Sequence, residues 1–186
     1  IFIGTAWYVE QSTLQKRQEA MVVYEAVRNE LSKVVLNAEK SLDSLAAQDA
    51  MRNGTPQQCG ELLAQALAAG PEIYDVFLRI KADGNLDCTP AGASKPVDFS
   101  SRVYFTKAVE KREFIVGEFL VGKVSGKQVL AVARPIISAD GTISHVLVCG
   151  LKTDWLQAVI DSQKNTMDLI VEISDASGVL LSYFIA

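Results

Sequence analysis

Three residues near the middle of the chain have the side chains that a pocket for a small anion needs. Arg102, Tyr104 and Phe105 place a permanent positive charge beside two aromatic rings. A guanidinium can bind a carboxylate through two parallel hydrogen bonds, and aromatic walls exclude water from a bound ligand. We therefore interpret these residues as candidate contacts for a small anionic or carboxylate ligand. Arg102 could instead pair with Asp98 or Glu110 and only fix the local loop.

The spacing of the aromatic residues and of a second arginine refines this prediction. Tyr104 and Phe105 are neighbours in a predicted helix and point about 100° apart, so we expect only one of them to face the pocket. Tyr104 is the better candidate because its hydroxyl needs a partner. Arg134 lies in a strand-like run, where alternation directs it to the same face as Val132 and Ile136. A partly buried arginine there needs an anion from protein or ligand, so Arg134 is a further ligand candidate.

A catalytic site is not predicted. The only histidine, His145, lies four residues before Cys149, which is about 13 Å along a strand and too far for a nucleophile and its base. The sequence has no spacing typical of a metal site, a phosphate-binding loop or a nucleophile elbow. We expect no catalysis, no metal and no cofactor in this chain.

The candidate residues lie between a short predicted helix and a series of strands. Residues 100–111 have helical spacing, and Ser100 or Ser101 could cap this helix. The predicted strands are 73–80, 86–88, 114–121, 128–137 and 143–151. Glycine-containing turns between the last three favour antiparallel hairpins. The sequence therefore predicts an α+β fold, with a long N-terminal helix and a central five-stranded antiparallel sheet flanked by helices.

A long helix is predicted at the N-terminal side, from about Tyr8 to Ala50 within the segment 10–52, because this stretch contains neither proline nor glycine. Its apolar residues fit a heptad frame: Leu14, Met21, Tyr24, Leu31, Val35, Ala38, Leu42 and Leu45. A helix of roughly 60 Å is too long to bury on a small domain, which favours a homodimer through this helix. Arg17 and Arg28 occupy two positions of this frame, which disfavours a coiled coil. The alternative is a helix whose second half packs on its own domain.

The two ends of the chain are both apolar. Residues 1–9 are about half the ~20 residues of a spanning helix, and we interpret them as the stub of a transmembrane helix, with Trp7 and Tyr8 at the membrane boundary. The alternative is an ordinary frayed helix start. Residues 163–186 contain a further hairpin, which could be an extra hairpin, a closing element or the start of a second module.

Composition indicates a globular protein with no nucleic-acid surface. The 186 residues are 49% hydrophobic, which suffices for a packed core. The formal net charge is −4, and no run of basic residues is longer than the pair Lys16 and Arg17.

The three cysteines suggest one disulfide bond. Cys149 lies in a continuous apolar run and is expected to be buried, whereas Cys59 and Cys88 lie in polar or strand-end segments. We therefore prefer a Cys59–Cys88 pairing, which implies an oxidising compartment. The alternative is three reduced thiols, which would leave the compartment open.

Six short segments occur in an order and spacing typical of one family. They are Asp83-Gly84 with Cys88, Arg102-x-Tyr104-Phe105, 116–119 with 125–127, 133–136, Asp140-Gly141 and 150–156. Together they resemble the Cache family, the PAS-like extracytoplasmic sensor domains of bacterial transmembrane receptors such as histidine kinases, diguanylate cyclases and chemoreceptors. The resemblance implies a PAS-like sensor domain at residues 53–162, on the periplasmic or extracellular face of an inner-membrane protein. It also implies a ligand pocket between the sheet and the segment that contains Arg102.

The resemblance also bears on the ligand. Amino-acid-binding members use the arginine and two aromatics for the carboxylate, and acidic residues on later strands for the ammonium group. Here Val121 and Gly150 stand where those acids are expected, which implies a plain carboxylate or another small anion. Glu118 or Asp154 could supply an acid in a shifted register. Phe119 is a further candidate ligand contact.

Two functional hypotheses result. The first is a ligand-sensing domain of a signal-transduction receptor, membrane-anchored in its parent protein, whose occupancy changes the pose of the long helix. The second is a dimerisation or protein-docking module that no longer binds a small ligand. Stabilisation by small carboxylates would distinguish the two.

Overall fold

The structure, a computed structural model, describes residues 14–92, 96–161, 170–174 and 180–185. The predicted membrane stub 1–9 lies outside these residues. The elements in chain order are α1 (Leu14–Ala46), α2 (Asp49–Arg52), α3 (Pro56–Ala69), β1 (Tyr74–Lys81), β2 (Leu86–Cys88), α4 (Val103–Lys111), β3 (Ile115–Val121), β4 (Gln128–Ile137), β5 (Ile143–Lys152), α5 (Asp154–Asp161), β6 (Ile170–Ser174) and β7 (Leu180–Ile185). Within the described part of the chain, no helix is both long enough and apolar enough to cross a membrane.

The central sheet has five strands in the order β2-β1-β5-β4-β3, and every neighbouring pair is antiparallel. The predicted α+β fold is therefore confirmed. The hairpins that join β3, β4 and β5 turn at Gly126 and Gly141, whose φ angles of +69° and +84° lie in the left-handed region that glycine adopts without strain. The strands β6 and β7 pair antiparallel as a separate hairpin.

The chain divides into two compact units. The larger is Val35–Lys152, and the remaining residues at both ends of the chain form the other. The sheet and the candidate ligand contacts all belong to the larger unit.

The two faces of the sheet are packed against different elements because side chains alternate along each strand. On the α4 face, Leu78, Val148, Ala133 and Ile115 stand opposite one another on successive strands and pack in one cluster with residues of α4. On the α1 face, Tyr74 of β1 shares a hydrogen bond of 3.0 Å with the Ser41 hydroxyl of α1. Each face therefore has its own covering element.

Helix α1 has 33 residues and is about 50 Å long. Its second half follows the predicted frame, with Ala38, Leu42 and Leu45 buried. In the first half the frame is wrong at Met21 and Tyr24, which are 55% and 38% exposed. Leu31 is buried as the frame predicts, and the other buried side chains there are Val23 and Val27. The buried positions there recur at every fourth residue, as on one side of an ordinary helix.

Helix α3 begins with a capping box. The Thr55 hydroxyl accepts a hydrogen bond from the Gln58 backbone N–H, the Gln58 side chain accepts one from the Thr55 backbone, and Pro56 occupies the first turn. The helix ends at Ala69, before Gly70 and Pro71.

Candidate functional site

Arg102 is held at the start of α4 by the loop before it. The Phe99 N–H donates to the Gly84 carbonyl at 2.7 Å, and the Phe99 side chain is 2% exposed. Gly84 has a φ of +90°, and a Cβ there would lie 2.7 Å from Ser100. Arg102 itself is the N-cap residue, so the predicted serine cap is wrong. Ser100 instead donates its backbone N–H to the Asp98 carboxylate at 2.8 Å.

The Arg102 guanidinium reaches the end of β3. One terminal nitrogen donates to the Val121 carbonyl at 3.0 Å. The Nε atom is buried and has no hydrogen-bond partner among the described residues. The alternative partners considered from the sequence, Asp98 and Glu110, form no ion pair with Arg102 there. A buried N–H donor without a partner is energetically unfavourable, so this nitrogen is the candidate donor at this site.

Tyr104 and Phe105 are both buried, at 2% and 5% exposure, in the cluster between α4 and the sheet. The prediction that only one of them packs in the core is wrong, because Val97, from the preceding loop, and the sheet together cover both directions. The Tyr104 hydroxyl has no hydrogen-bond partner in the described part of the chain. Burial raises the pKa of Tyr104 well above its usual value, the charge of Arg102 opposes this rise, and Glu118 adds to it.

A β-bulge in β3 shapes the site. Val116 pairs with Val132 and Phe119 pairs with Leu130, so Gly117 and Glu118 together stand opposite a single residue of β4. A Cβ at Gly117 would lie 2.8 Å from the Tyr104 Cβ, so the absence of a side chain lets α4 approach the strand. The bulge brings the Glu118 carboxylate close enough to Tyr104 to affect its pKa.

The same bulge moves Phe119 to the opposite face of the sheet. Phe119 stands opposite Leu130, and its neighbour Leu120 packs against the α4 cluster. Because successive strand residues point to opposite faces, Phe119 faces away from Arg102. The interpretation of Phe119 as a ligand contact on that face is therefore corrected.

Arg134 is also placed on the α1 face, where its anionic partners are part of the protein. Its guanidinium lies 2.8 Å from a Glu39 oxygen and 2.6 Å from an Asp43 oxygen, both on α1. It also lies over the Phe114 ring, 5.3 Å from the centroid. The structure therefore does not bring Arg134 together with Arg102, and its partly buried charge is balanced by two carboxylates.

The disulfide that the sequence favours is present. Cys59 of α3 and Cys88 of β2 are bonded, with their Cα atoms 6.3 Å apart, whereas Cys149 is free and buried. The bond ties α3 to the edge strand of the sheet. Burial raises the pKa of the Cys149 thiol, which disfavours the reactive thiolate.

His145 lies near the charges at the other end of β1 rather than near Cys149. Its Nε2 atom is 3.9 Å from an Asp87 oxygen, and its Nδ1 atom is buried without a hydrogen-bond partner in the described residues. Burial lowers the pKa of His145, the charges of Arg79 and Lys81 lower it further, and Asp87 opposes the change.

A pH dependence of stability follows from this lowered pKa. Because folding holds the pKa of His145 below its unfolded value of about 6.5, the unfolded chain binds a proton first as the pH falls. We expect the free energy of unfolding to decrease as the pH falls below about 6.5, and His145→Gln to reduce this decrease. Urea unfolding at pH 7.5 and 5.5 measures both. An unchanged pH dependence in the variant would contradict the assignment.

Sequence reasoning missed two buried charged residues in β1. Asp75 has a side chain that is 2% exposed, and Arg79 is 1% exposed. Each stands in a run of otherwise apolar or aromatic residues. A lone charged residue in such a run indicates a buried charge that needs a partner, and this was the signal in the sequence. The described residues contain no group of three potential metal ligands.

The geometry first defines a class of protein. An antiparallel five-stranded sheet with a short helix over one face and the second half of a long helix on the other is the architecture of a PAS-like sensor domain. The sequence model of the Cache domain family matches residues 4–184. This chain belongs to the Cache domain family, whose members are extracellular or periplasmic sensor domains. None of the curated proteins matches the chain.

Solved structures share the fold. An extracellular ligand binding receptor from Desulfohalobium retbaense superimposes with a TM-score of 0.68 at 12% identity, over 83% of this chain and 29% of that one. The ligand-binding domain of the Pseudomonas aeruginosa amino acid chemoreceptor PctC, in complex with GABA, gives 0.65 at 20% identity, over 88% of this chain and 72% of that one. The ligand-binding domain of the Campylobacter jejuni chemoreceptor Tlp3, in complex with L-valine, gives a TM-score of 0.66 at 14% identity, over 89% of this chain and 68% of that one. The chain thus spans less than a third of the first structure and about 70% of the other two.

Proposed function

We propose that this sensor domain binds a small anionic or carboxylate ligand on the α4 face of the sheet, at Arg102 and Tyr104. The observation that carries the proposal is the buried Arg102 Nε atom without a partner. Tyr104 supports it as well, because this residue is 2% exposed and the charge of Arg102 affects the pKa of its hydroxyl. A carboxylate oxygen of the ligand would accept a hydrogen bond from the Arg102 Nε atom and has acceptor sites left for the Tyr104 hydroxyl. The ligands named for PctC and Tlp3, GABA and L-valine, are carboxylates as well.

We propose further that ligand occupancy is transmitted to α1 through β4. On this strand, Ala131 and Ala133 face the α4 cluster, and the next residue, Arg134, binds Glu39 and Asp43 of α1 on the other side of the sheet. A shift of the strand at the ligand site would therefore move the ion pairs that hold the helix. Such a shift can change the pose of α1 only if the ligand binds the two poses with different affinity.

The parent protein is proposed to be a bacterial membrane-anchored receptor that displays this domain outside the cytoplasm. Its output module could be a histidine kinase or a diguanylate cyclase, and the domain itself is proposed to lack catalysis. A homodimer through α1 is supported by two exposed apolar side chains near its start, Met21 and Val22, which are 55% and 60% exposed. The same exposed residues favour the second candidate, a dimerisation or docking module without a small ligand.

A thermal-shift screen with a panel of small carboxylates tests the proposal. At about 100 times its Kd, a ligand stabilises the folded state by about 2.7 kcal/mol, which raises the Tm of a chain of this size by roughly 5 to 10 °C. We expect at least one compound to do this with the wild type and not with Arg102→Gln. The matched control is Arg28→Gln, which removes an exposed arginine of α1 paired with Glu25. If no compound raises the Tm of the wild type, and Arg102→Gln has the same Tm values as the wild type, the docking module would be favoured.

A further inference from the structure

Asp87 of β2 is a nearly buried carboxylate beside three basic side chains. Its side chain is 7% exposed, and its Oδ2 atom accepts a hydrogen bond of 2.7 Å from the Arg79 Nε atom of β1. The His145 Nε2 atom of β5 lies 3.9 Å from the same Oδ2 atom, and the Lys81 ammonium lies 3.8 Å from Oδ1. A protonated His145 would therefore compete with Arg79 for one oxygen and repel its guanidinium.

The two ring nitrogens of His145 lie in different surroundings. The side chain is 19% exposed, so protons of the solvent reach the ring, whereas the Nδ1 atom is buried without a hydrogen-bond partner among the described residues. A neutral imidazole carries a proton on one nitrogen, and a protonated imidazole carries one on both. Protonation would therefore make Nδ1 a buried donor without an acceptor, which is unfavourable in the arrangement that the structure has.

The charges that face His145 also disfavour its protonated form. Strand β1 contributes the cations Arg79 and Lys81, and β4 contributes the apolar Ile136, which pairs with His145. In the described part of the chain, Asp87 is the only carboxylate within ion-pairing distance of the ring. Burial and the charges of Arg79 and Lys81 lower the pKa of His145, and Asp87 opposes this change. A proton on His145 therefore acts against the folded arrangement around Asp87.

Arg79 connects this carboxylate to the residues that follow α1. Its guanidinium donates to three backbone carbonyls, those of Ala50 and Met51 in α2 and of Gly54 after it. Helix α2 has only four residues, too few to be stable without tertiary contacts. Its own charged side chains bind elsewhere: Asp49 accepts the Asn53 amide, and Arg52 donates to the Ala46 carbonyl. The attachment of α2 to the sheet therefore depends on Arg79.

We propose that His145 is a proton-sensing residue, and that its protonation loosens Arg79 from Asp87 and from the three carbonyls. Residues 48–58 then separate locally from the sheet, as segments with few anchoring contacts do. The separation stops at Cys59, because the disulfide holds this residue to β2. Since the released segment follows α1 directly, a fall in pH changes how the end of α1 is held, with no ligand required.

Hydrogen exchange at pH 7.5 and 5.5, read by mass spectrometry and corrected for the intrinsic effect of pH, tests this inference on a protein without a histidine tag. We expect the opening of residues 48–58 to increase by up to about tenfold at the lower pH, because an imidazole with a pKa of about 6.5 is then protonated in the open state. The reference peptide 128–137 of β4 should not change. His145→Gln should abolish the increase, and His145→Asn is a second neutral variant if the first folds poorly. No increase in the wild type, an equal increase in β4, or the same increase in the neutral variant would overturn the inference.

The wild type alone allows a second measurement. His145 is the only histidine of the chain, so one imidazole signal in an NMR titration reports its protonation. We expect the backbone amide signals of Met51 and Gly54 to change with the same midpoint pH as the imidazole signal, and a different midpoint would contradict the inference. The experiment uses no carboxylate ligand, so its result is independent of whether the proposed function at Arg102 holds.

Discussion

Replacement of Arg79 by methionine is expected to lower the free energy of unfolding by about 3 to 5 kcal/mol, because it removes the one buried cation that pairs with the buried carboxylate of Asp87 and leaves only the exposed Lys81, 3.8 Å away, and the neutral His145. The Arg79 guanidinium pairs with Asp87, and both side chains are less than 10% exposed. It also donates to the Ala50 carbonyl at 2.9 Å, the Met51 carbonyl at 3.2 Å and the Gly54 carbonyl at 3.0 Å. These acceptors lie at and after α2, so one side chain connects the sheet to the end of the N-terminal helices. Urea unfolding followed by circular dichroism measures the change.

Two further variants show whether the ion pair is responsible. Asp87→Asn should destabilise the domain by a similar amount, and the double variant Arg79→Met/Asp87→Leu should lose less than the sum of the two single changes, because no unpaired charge remains. Arg28→Met is the matched control, since its ion pair with Glu25 is exposed and worth at most about 1 kcal/mol. A loss at Arg79 no larger than that at Arg28 would show that the buried pair does not stabilise the fold.

Removal of the Cys59–Cys88 disulfide is expected to lower the free energy of unfolding by about 3 to 4 kcal/mol. The bond joins residues separated by 29 positions, and a closed loop of about 30 residues restricts the unfolded chain by this amount in the chain-entropy model. The measurement is urea unfolding of the oxidised and reduced wild type and of Cys59→Ala/Cys88→Ala. The double variant should be insensitive to reductant, which isolates this bond from any effect on Cys149. A reduced wild type as stable as the oxidised protein would contradict the expectation.

The elements of the sheet could be predicted because their signals are local. The bounds of β2 and β4 are as predicted, since turn-forming residues flank both strands and β-branched or apolar residues fill β4. The long helix was predicted as well, because a stretch without proline and glycine favours a continuous helix. Its predicted end at Ala50 is wrong, since α1 ends at Ala46 and the separate helix α2 begins at Asp49 after Gln48, whose backbone is extended. The sequence does not show which side of α1 is buried in its first half, because the apolar residues there fit more than one heptad frame.

The composition of the candidate site was only partly predictable, because it depends on events that leave no local signal. A bulge of one residue in β3 reverses the face of every residue after it, and this alone moves Phe119 away from Arg102 and brings Glu118 towards Tyr104. The partners of Arg134 lie more than 90 positions away on α1. Contacts over such separations are set by packing and are not visible in strand alternation.

The charged residues of β1 show the same limit. Asp75 and Arg79 stand in a strand that was predicted from its apolar residues, and their partners come from other loops and strands. The alternation correctly indicates that a charge there would be buried, yet it does not say which residue balances it. The charge of Arg79 is balanced by one carboxylate, and its N–H groups also bind three backbone carbonyls. Among the described residues, the charge of Asp75 is balanced by one exposed lysine, Lys127.

The central claim, that Arg102 binds the anionic group of a small ligand, is tested most directly by calorimetric titration of the best carboxylate with the wild type and with Arg102→Gln. A hydrogen bond to a charged group contributes about 1.5 to 3 kcal/mol, so we expect the variant to bind roughly 10 to 150 times more weakly. Equal affinity of the two proteins for that carboxylate would contradict it.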